Sequence, residues 1–341
     1  MNKIFLTVDT ECHDIKKENQ YIWGKKKDRE YGIGRILELG KQHDIAVNFF
    51  VDFAEERSYG RDYIQRIVDK IKQYNQPIFL HLHPNFISGD ERRTFLWEYS
   101  KDEQKALLEE GIGIYKELMG KTPSAFRAGR YGVDEETYNL VDELLPGIAE
   151  FSYTGGYGKM CHIGKELVNT VNHLSKYKSL YVMPNGTYVA LDIFGKRKTV
   201  GIDVSEMSLT EFKEYLEIAD GRDFVLTMHS WNFIDRYFWS KTHIGNHWTN
   251  ERLFKGMIRL AKEYGYSFVS IDVYDFETEG SDSDIEYNAC DTLPKKIRAV
   301  FINFWRFQQM AKISKKYFVI YFLFYFATII IVLFILFYIR F

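Results

Sequence analysis

Cysteine is scarce in this chain: Cys12, Cys161 and Cys290 are its only three, odd in number and far apart in 341 residues. That spacing excludes a disulfide framework and a CxxC metal site, and it fits a reducing compartment. Cys12 stands beside acidic residues but reads as a small packed side chain rather than a nucleophile. Net charge is missing too. A formal balance of −2 leaves no bulk electrostatic footprint for nucleic acid, so no nucleic-acid partner is expected. No internal repeat, low-complexity tract or signal-peptide pattern is visible, since Met1-Asn2-Lys3 leads straight into a strand-like run that soon meets acids.

What the first residues do hold is Ile4-Phe5-Leu6-Thr7-Val8-Asp9-Thr10-Glu11, an apolar strand pattern ending on two carboxylates. Two apart, Asp9 and Glu11 point to one side of an extended chain, where they repel unless a cation or proton separates them. Strand ends of this kind carry the catalytic groups of α/β barrels.

Residues 1–275 alternate strand-like and helix-like segments, the signature of parallel βα units. Strands are expected at 45–51, 77–83, 126–132, 148–154, 224–229 and 267–271. Helices are expected at 28–43, 60–74, 101–119 (closed by Gly120), 208–219 (opened by the capping-box spacing of Ser208 and Glu211) and 250–264. Residues 157–200, with short strand-like pieces at 180–183 and 188–194, break the rhythm and read as an insertion over one barrel rim.

The far end is different. From Tyr317 to Ile339 there is no charge, proline or glycine. As a helix this run spans roughly 34 Å, long enough to cross a bilayer. Lys295, Lys296, Arg298, Arg306, Lys312, Lys315 and Lys316 precede it and only Arg340 follows. That bias predicts a single-pass membrane protein with its main domain in the cytoplasm. Between the bases, Ile297, Val300, Phe301, Phe304 and Phe307 recur at helical spacing, as in an interfacial helix on anionic headgroups. The expected organisation is a barrel at 1–275, an acidic linker at 276–294, a basic amphipathic segment at 295–316 and a transmembrane helix at 317–339.

Further strand ends carry polar groups: His81 and His83, Arg127, and His229. A His-x-His pair places both imidazoles on one face, which is metal-ligand geometry. With an acid from a neighbouring strand it makes a site of two histidines and one carboxylate with open positions. Zinc is the default metal for imidazole-rich hydrolases. A lone pair of this kind is also compatible with one packed and one exposed histidine.

In order along the chain stand Thr7-Val8-Asp9, Phe49-Phe50-Val51, His83-Pro84, Gly120-Lys121-Thr122-Pro123 with Phe126-Arg127, Glu150-Phe151-Ser152 and Leu226-Thr227-Met228-His229. This set resembles the polysaccharide deacetylases of the NodB-type homology group (carbohydrate esterase family 4), over about residues 1–275. The resemblance implies a distorted (β/α)7 barrel and metal-dependent removal of an acyl group from a sugar. Asp9 would then be the general base, Glu11, His81 and His83 the metal ligands, and His229 the general acid. Glu150 would be the carboxylate partner of His229, and Arg127 would orient or charge-balance Asp9. The turn at Arg130 and Tyr131 would supply an oxyanion donor. Two positions depart from the family pattern. Thr10 occupies the usual ligand slot after the first acid, and Phe79 the usual position of the first histidine.

After His229 comes an aromatic patch: Trp231-Asn232-Phe233, Tyr237-Phe238-Trp239 and His247-Trp248. It is placed to overhang the pocket, with Trp231 positioned to stack on a sugar ring or to meet lipid. An anchored cytoplasmic domain is best placed for a lipid-linked amino sugar on the way to a cell-envelope glycan. The expected activity is N-deacetylation or N-deformylation of such an intermediate. The alternatives are a phosphoesterase of the PHP type, whose pattern also opens with His-x-His, and a degenerate barrel that binds glycan or scaffolds a membrane complex.

Overall fold

The computed structural model describes residues 2–155, 159–193, 195–237, 239–277 and 286–323. One curled sheet begins with strands β1 (Asn2–Thr10), β2 (Asn48–Asp52), β3 (Ile78–Leu82), β4 (Ala125–Ala128) and β5 (Ala149–Glu150). It continues with β6 (Ser175–Tyr177) and β7 (Leu180–Val182). Strands β8 (Thr187–Ile193) and β9 (Lys196–Gly201) form a separate hairpin. The chain then returns to the main sheet with β10 (Phe224–His229), makes a second hairpin of β11 (Ile234–Tyr237) and β12 (Ser240–Asn246), and adds β13 (Tyr266–Phe268) and β14 (Tyr287–Asn288).

The main sheet runs β10-β1-β2-β3-β4-β5-β7-β6, with β13 also paired to β1. Every ladder in it is parallel except β6–β7. Irregular backbone bridges the gap between β7 and β10. Asn185 N–H donates to the Tyr153 carbonyl (2.8 Å), Ile202 N–H to Gly186 (2.8 Å) and Thr227 N–H to Ile202 (3.0 Å). The fold is therefore α/β with a strongly curled, mostly parallel sheet, and part of its wall is held by single hydrogen bonds rather than a ladder.

Strand alternation sets the two layers. Ile4, Leu6 and Val8 of β1 pack into the core shared with the helices, while Phe5 points the other way. Phe5, Phe50, Phe79, Phe151, Met183 and Val225 fill the sheet's interior. Burying each such ring contributes about 1.5–3 kcal/mol, so this aromatic floor is a stable base for polar groups above it. Phe79, at the family's first-histidine position, belongs to that floor.

Helix ends follow the sequence signals. Ser100 and Glu103 close a capping box at the start of Lys101–Met119, and Gly120 ends that helix at φ 69°. Ser208 and Glu211 do the same for Leu209–Ala219. The expected rim insertion is partly a barrel element, because β7 pairs in register with β5.

The C-terminal segment departs most from expectation. The helix Leu293–Ile313 does not simply lie on a surface with all its bases outward. Arg306 is 4% exposed, and its Nη2 donates to Glu211 Oε2 (2.8 Å) and the Tyr188 hydroxyl (2.7 Å). Arg298 pairs with Glu214 (2.7 Å), and Asn303 Nδ2 donates to the Ala190 carbonyl (2.9 Å). Two of the expected headgroup-facing or linker features thus serve docking: Arg306 is an internal anchor, and the end of the acidic stretch pairs as β14 with β8. The opposite face keeps Ile297, Val300, Phe301 and Phe304 exposed. Residues 315–323 are helical again. Among the described residues no helix is long and apolar enough to cross a membrane, and residues 324–339 of the expected span lie outside them.

Breaking a buried ion pair from one side strands the other charge, at about 3–5 kcal/mol. For Arg306→Met we predict a loss of about 3 kcal/mol, the lower end, because Ser208 also bonds Glu211. Urea denaturation checks this, and Arg306→Met with Glu211→Gln should recover part of the loss.

Candidate metal centre and active site

The site stands on the aromatic floor. The Arg127 guanidinium, fully buried, lies over the Phe50 ring at 4.3 Å. Each of its three nitrogens is bonded: Nη1 to Asp9 Oδ1 (2.5 Å), Nη2 to Thr7 Oγ1 (3.0 Å) and Asn185 Oδ1 (2.9 Å), and Nε to the Phe151 carbonyl (3.2 Å). Asp9 is thereby fixed through one oxygen. No described residue bonds its Oδ2, and Asp9 lines a cavity of about 160 Å³.

Glu11, two residues on, meets His81 and His83. Their nearest ligand atoms lie within 4.8 Å of one another, and all three residues are buried. His83 Nε2 contacts Glu11 Oε2 directly, and His81 Nε2 is 3.5 Å from the same oxygen. Neither Glu11 Oε2 nor His83 Nε2 makes a hydrogen bond of good geometry. His81 Nδ1 is 2.9 Å from the Arg127 carbonyl, which turns its Nε2 toward the carboxylate. Buried polar atoms converging without partners are the arrangement a cation completes, so the three residues fit a divalent metal. Gly129 is required beside them, since a Cβ there would sit 2.5 Å from the His83 ring.

The surrounding acids sharpen this. Burial pushes the Glu11 carboxyl up, but the charge of His83, then the closeness of both imidazoles, and the charge of His13 outweigh it and hold it well below the usual range. Behind it, Asp52 accepts from the His83 and Ala54 amides. Burial, against the pull of His83, drives Asp52 up to about 7, and burial with Asp52's charge drives Glu55 well above the usual range. Of the three acids in this buried cluster, Glu11 alone is held below the usual carboxylate range.

Across the cavity, His229 ends β10 opposite Asp9 in the β1 ladder, with its ring stacked on Trp231 (centroids 4.6 Å apart, 24° between planes). His13, Arg130 and Tyr131 complete the cavity wall. Arg130 and Tyr131 both take left-handed backbone (φ 55° and 58°) in the turn after β4, so the chain reverses sharply at the rim.

Glu150 is placed differently from expectation. Its carboxyl accepts from the Tyr138 hydroxyl (2.5 Å) and the Ser152 amide (2.8 Å) and does not meet His229. It ends β5 on the side that packs against the helix carrying Tyr138, so strand alternation turns it away from the cavity. The carboxylate facing His229 is Asp203. A parallel bridge sets Asp203 beside Thr227, two residues before His229 and hence on its face of the strand. Burial raises the Asp203 carboxyl, and the charge of His229 opposes that rise. Asp203 and Asn185 were missed from sequence. The alternation Val200, Ile202, Val204 around Asp203 was the available signal. Cys12 is buried and its thiol is pushed up to about 12 by burial and then by Glu55, which removes it as a nucleophile. Phe238 of the aromatic patch lies outside the described residues.

Comparison with protein-family models finds no match, and comparison with curated proteins finds none either. Among solved structures the chain is similar to a proposed polysaccharide deacetylase from Mycobacterium smegmatis, at 14% identity and a TM-score of 0.49, covering 79% of this chain and 87% of that one. It is also similar to the chitin deacetylase from Colletotrichum lindemuthianum, at 13% identity and 0.42, covering 82% and 92%. A carbohydrate esterase family 4 pseudoenzyme from Bacillus anthracis matches at 14% and 0.44, covering 84% and 69%. At such scores the likeness decides nothing about activity, and a pseudoenzyme is among the structures that share it.

Two outcomes are expected. The full chain should bind about one zinc ion per molecule by elemental analysis. His83→Ala should weaken that binding by more than the roughly 10–100-fold typical of outer-shell changes, while Asp9→Asn keeps the metal. Glu150, raised to about 7, favours the folded state fully below its unfolded pKa of 4.5 and loses that contribution as pH rises through about 7. Glu150→Gln should therefore flatten the decline, gaining at most roughly 3 kcal/mol relative to the unsubstituted chain between pH 4.5 and 8, measured by urea denaturation across that range.

Proposed function

We propose that the chain is a metal-dependent hydrolase that removes an acetyl or formyl group from the nitrogen of an amino sugar. We further propose that the sugar is a lipid-linked cell-envelope intermediate, reached from the cytoplasmic face by a domain anchored through residues 317–339. One observation carries the chemistry: Asp9 fixed on Arg127, Glu11 and His81 of the Glu11–His81–His83 group, and His229 all line one cavity of about 160 Å³. The anchored placement rests on the uncharged C-terminal run and its basic flank, and the exposed face of Leu293–Ile313 supports it.

Each residue then has a task. Asp9, with Oδ1 taken by Arg127, accepts the proton of the attacking water at Oδ2. The water oxygen bonds the acyl carbon, and the charge building on the acyl oxygen faces the turn at Arg130 and Tyr131. His229, backed by Asp203 and held by Trp231, gives a proton to the sugar nitrogen as the carbon–nitrogen bond breaks. The products are acetate or formate and a free amine. Glu11, His81 and His83 would hold a divalent cation, which would supply Lewis acidity to this centre.

The test is release of acetate or formate from polyprenyl-phosphate-linked N-acyl amino sugars. Asp9→Asn should lower the rate by about 10²–10⁴-fold with the metal retained. Phosphate release instead would point to a phosphoesterase, and a metal-loaded chain inert towards every acylated sugar would sink the proposal.

A further inference from the structure

A second cavity, of about 210 Å³, lies one aromatic ring away from the first and takes no part in the chemistry above. Lys17, Gln20, Tyr21, Arg236, Tyr237 and Ile313 line it. Its volume is below the roughly 300 Å³ of ligand-sized pockets, so it suits one small group of a larger molecule.

Arg236 is the informative residue. Its guanidinium lies over the Tyr21 ring at 4.4 Å and the Trp231 ring at 4.9 Å, and Nη1 reaches the Gln20 carbonyl at 3.4 Å. No carboxylate of the described residues pairs with it, unlike the buried Arg127 and Arg306. Arg236 is partly buried, and a partly desolvated cation without a counter-ion is stabilised when an anion completes it. Burial, the largest influence, pulls its pKa below the usual arginine value. Lys17 adds a second positive charge at the rim, shared with Asp14 at 3.4 Å.

Two directions lead out of this cavity. Inward, Trp231 links it to the reaction centre, stacking on His229 at 4.6 Å and touching Tyr21 at 5.3 Å. Outward, Tyr237 stacks on Trp239 at 4.8 Å, and Trp239 meets Phe318 at 5.7 Å. Phe318 belongs to the helical residues 315–323, whose Val319, Ile320, Phe322 and Leu323 are exposed. Cavity, cation and apolar surface thus follow one another from His229 to the C-terminal helix.

Resting on the function proposed above, we infer that the Arg236 cavity is the binding site for the phosphate of an amphiphilic substrate, with the acylated sugar at His229 and the apolar chain along Trp239 and Phe318. An arginine is suited to this, since its fork bonds two phosphate oxygens at once.

The test compares two detergent-solubilised substrates that differ only in the linkage: dodecyl N-acetylglucosaminyl phosphate and the phosphate-free dodecyl N-acetylglucosaminide. Arg236→Met should raise KM for the phosphate compound about 10–100-fold, the range for a charge-assisted bond, and leave KM for the neutral compound within about twofold. Arg236→Lys should recover part of the loss. Equal losses on both compounds would overturn the inference. So would weaker binding of the variant to phosphatidylglycerol vesicles with an unchanged KM ratio, which assigns the cation to bilayer headgroups. If the unsubstituted chain hydrolyses neither compound, the proposed function fails alone. Calorimetric binding of the phosphate compound, lost on Arg236→Met, then still decides for or against the site.

Discussion

The buried guanidinium of Arg127 is the constraint on which the site depends. A charge with no exposure must have its nitrogens bonded, and here four partners come from three places: Asp9 and Thr7 on β1, Asn185 in the irregular wall, and the Phe151 carbonyl after β5. Satisfying it therefore fixes β1, β4, the residues after β5 and the irregular wall relative to one another. The same residue's carbonyl meets His81, so the position of β4 also sets the direction of a metal ligand. Phe50 and Phe151 lie below the guanidinium and keep water from replacing those partners.

From that anchor, the division of labour between Asp9 and Glu11 follows. They leave β1 on the same side, and what separates them is the neighbour each meets. Asp9 faces a permanent cation that already occupies one oxygen. Glu11 faces two imidazoles that leave its Oε2 without a bond of good geometry. Asp52 and Glu55 behind them are pushed toward the neutral form by burial, Asp52 also by Glu11 and Glu55 by Asp52. A second ionised carboxylate in that cluster would repel Glu11, so neutral neighbours and a bound cation are two answers to the same electrostatic problem.

Much of this was legible in the sequence because it is local. The helix Lys101–Met119 announces both ends, through Ser100 with Glu103 and through Gly120. The strand β10 ends at His229 as its apolar run predicts. Asp9, Glu11, His81, His83 and Arg127 each sit at or just beyond the end of a short apolar run. Glu150 shows the limit. It too ends a strand, but which face of β5 turns inward depends on a register with β4 and β7 that two residues of sequence do not specify. Asp203 was hidden for the complementary reason: the alternation of Val200, Ile202 and Val204 marks a strand-like face there, but the single bridge to Thr227 that brings Asp203 to His229 joins segments far apart in sequence.

The C-terminal helix makes the same point for the whole molecule. A count of basic residues treats Arg298, Arg306 and Lys312 alike, yet Arg306 is spent inside the fold on Glu211 and Arg298 on Glu214. Those bonds join Leu293–Ile313 to the hairpin β8–β9 and to the helix Leu209–Ala219, which precedes the strand carrying His229. Ile313, at the end of the docked helix, forms part of the Arg236 cavity wall. The helix that leads into the apolar C-terminal run is thus braced directly against the reaction centre's surroundings. With the docked side held by ion pairs and Ile297, Val300, Phe301 and Phe304 left outside, whatever apolar phase meets that face meets the domain in one orientation, with the aromatic path to His229 on the same side as Phe318.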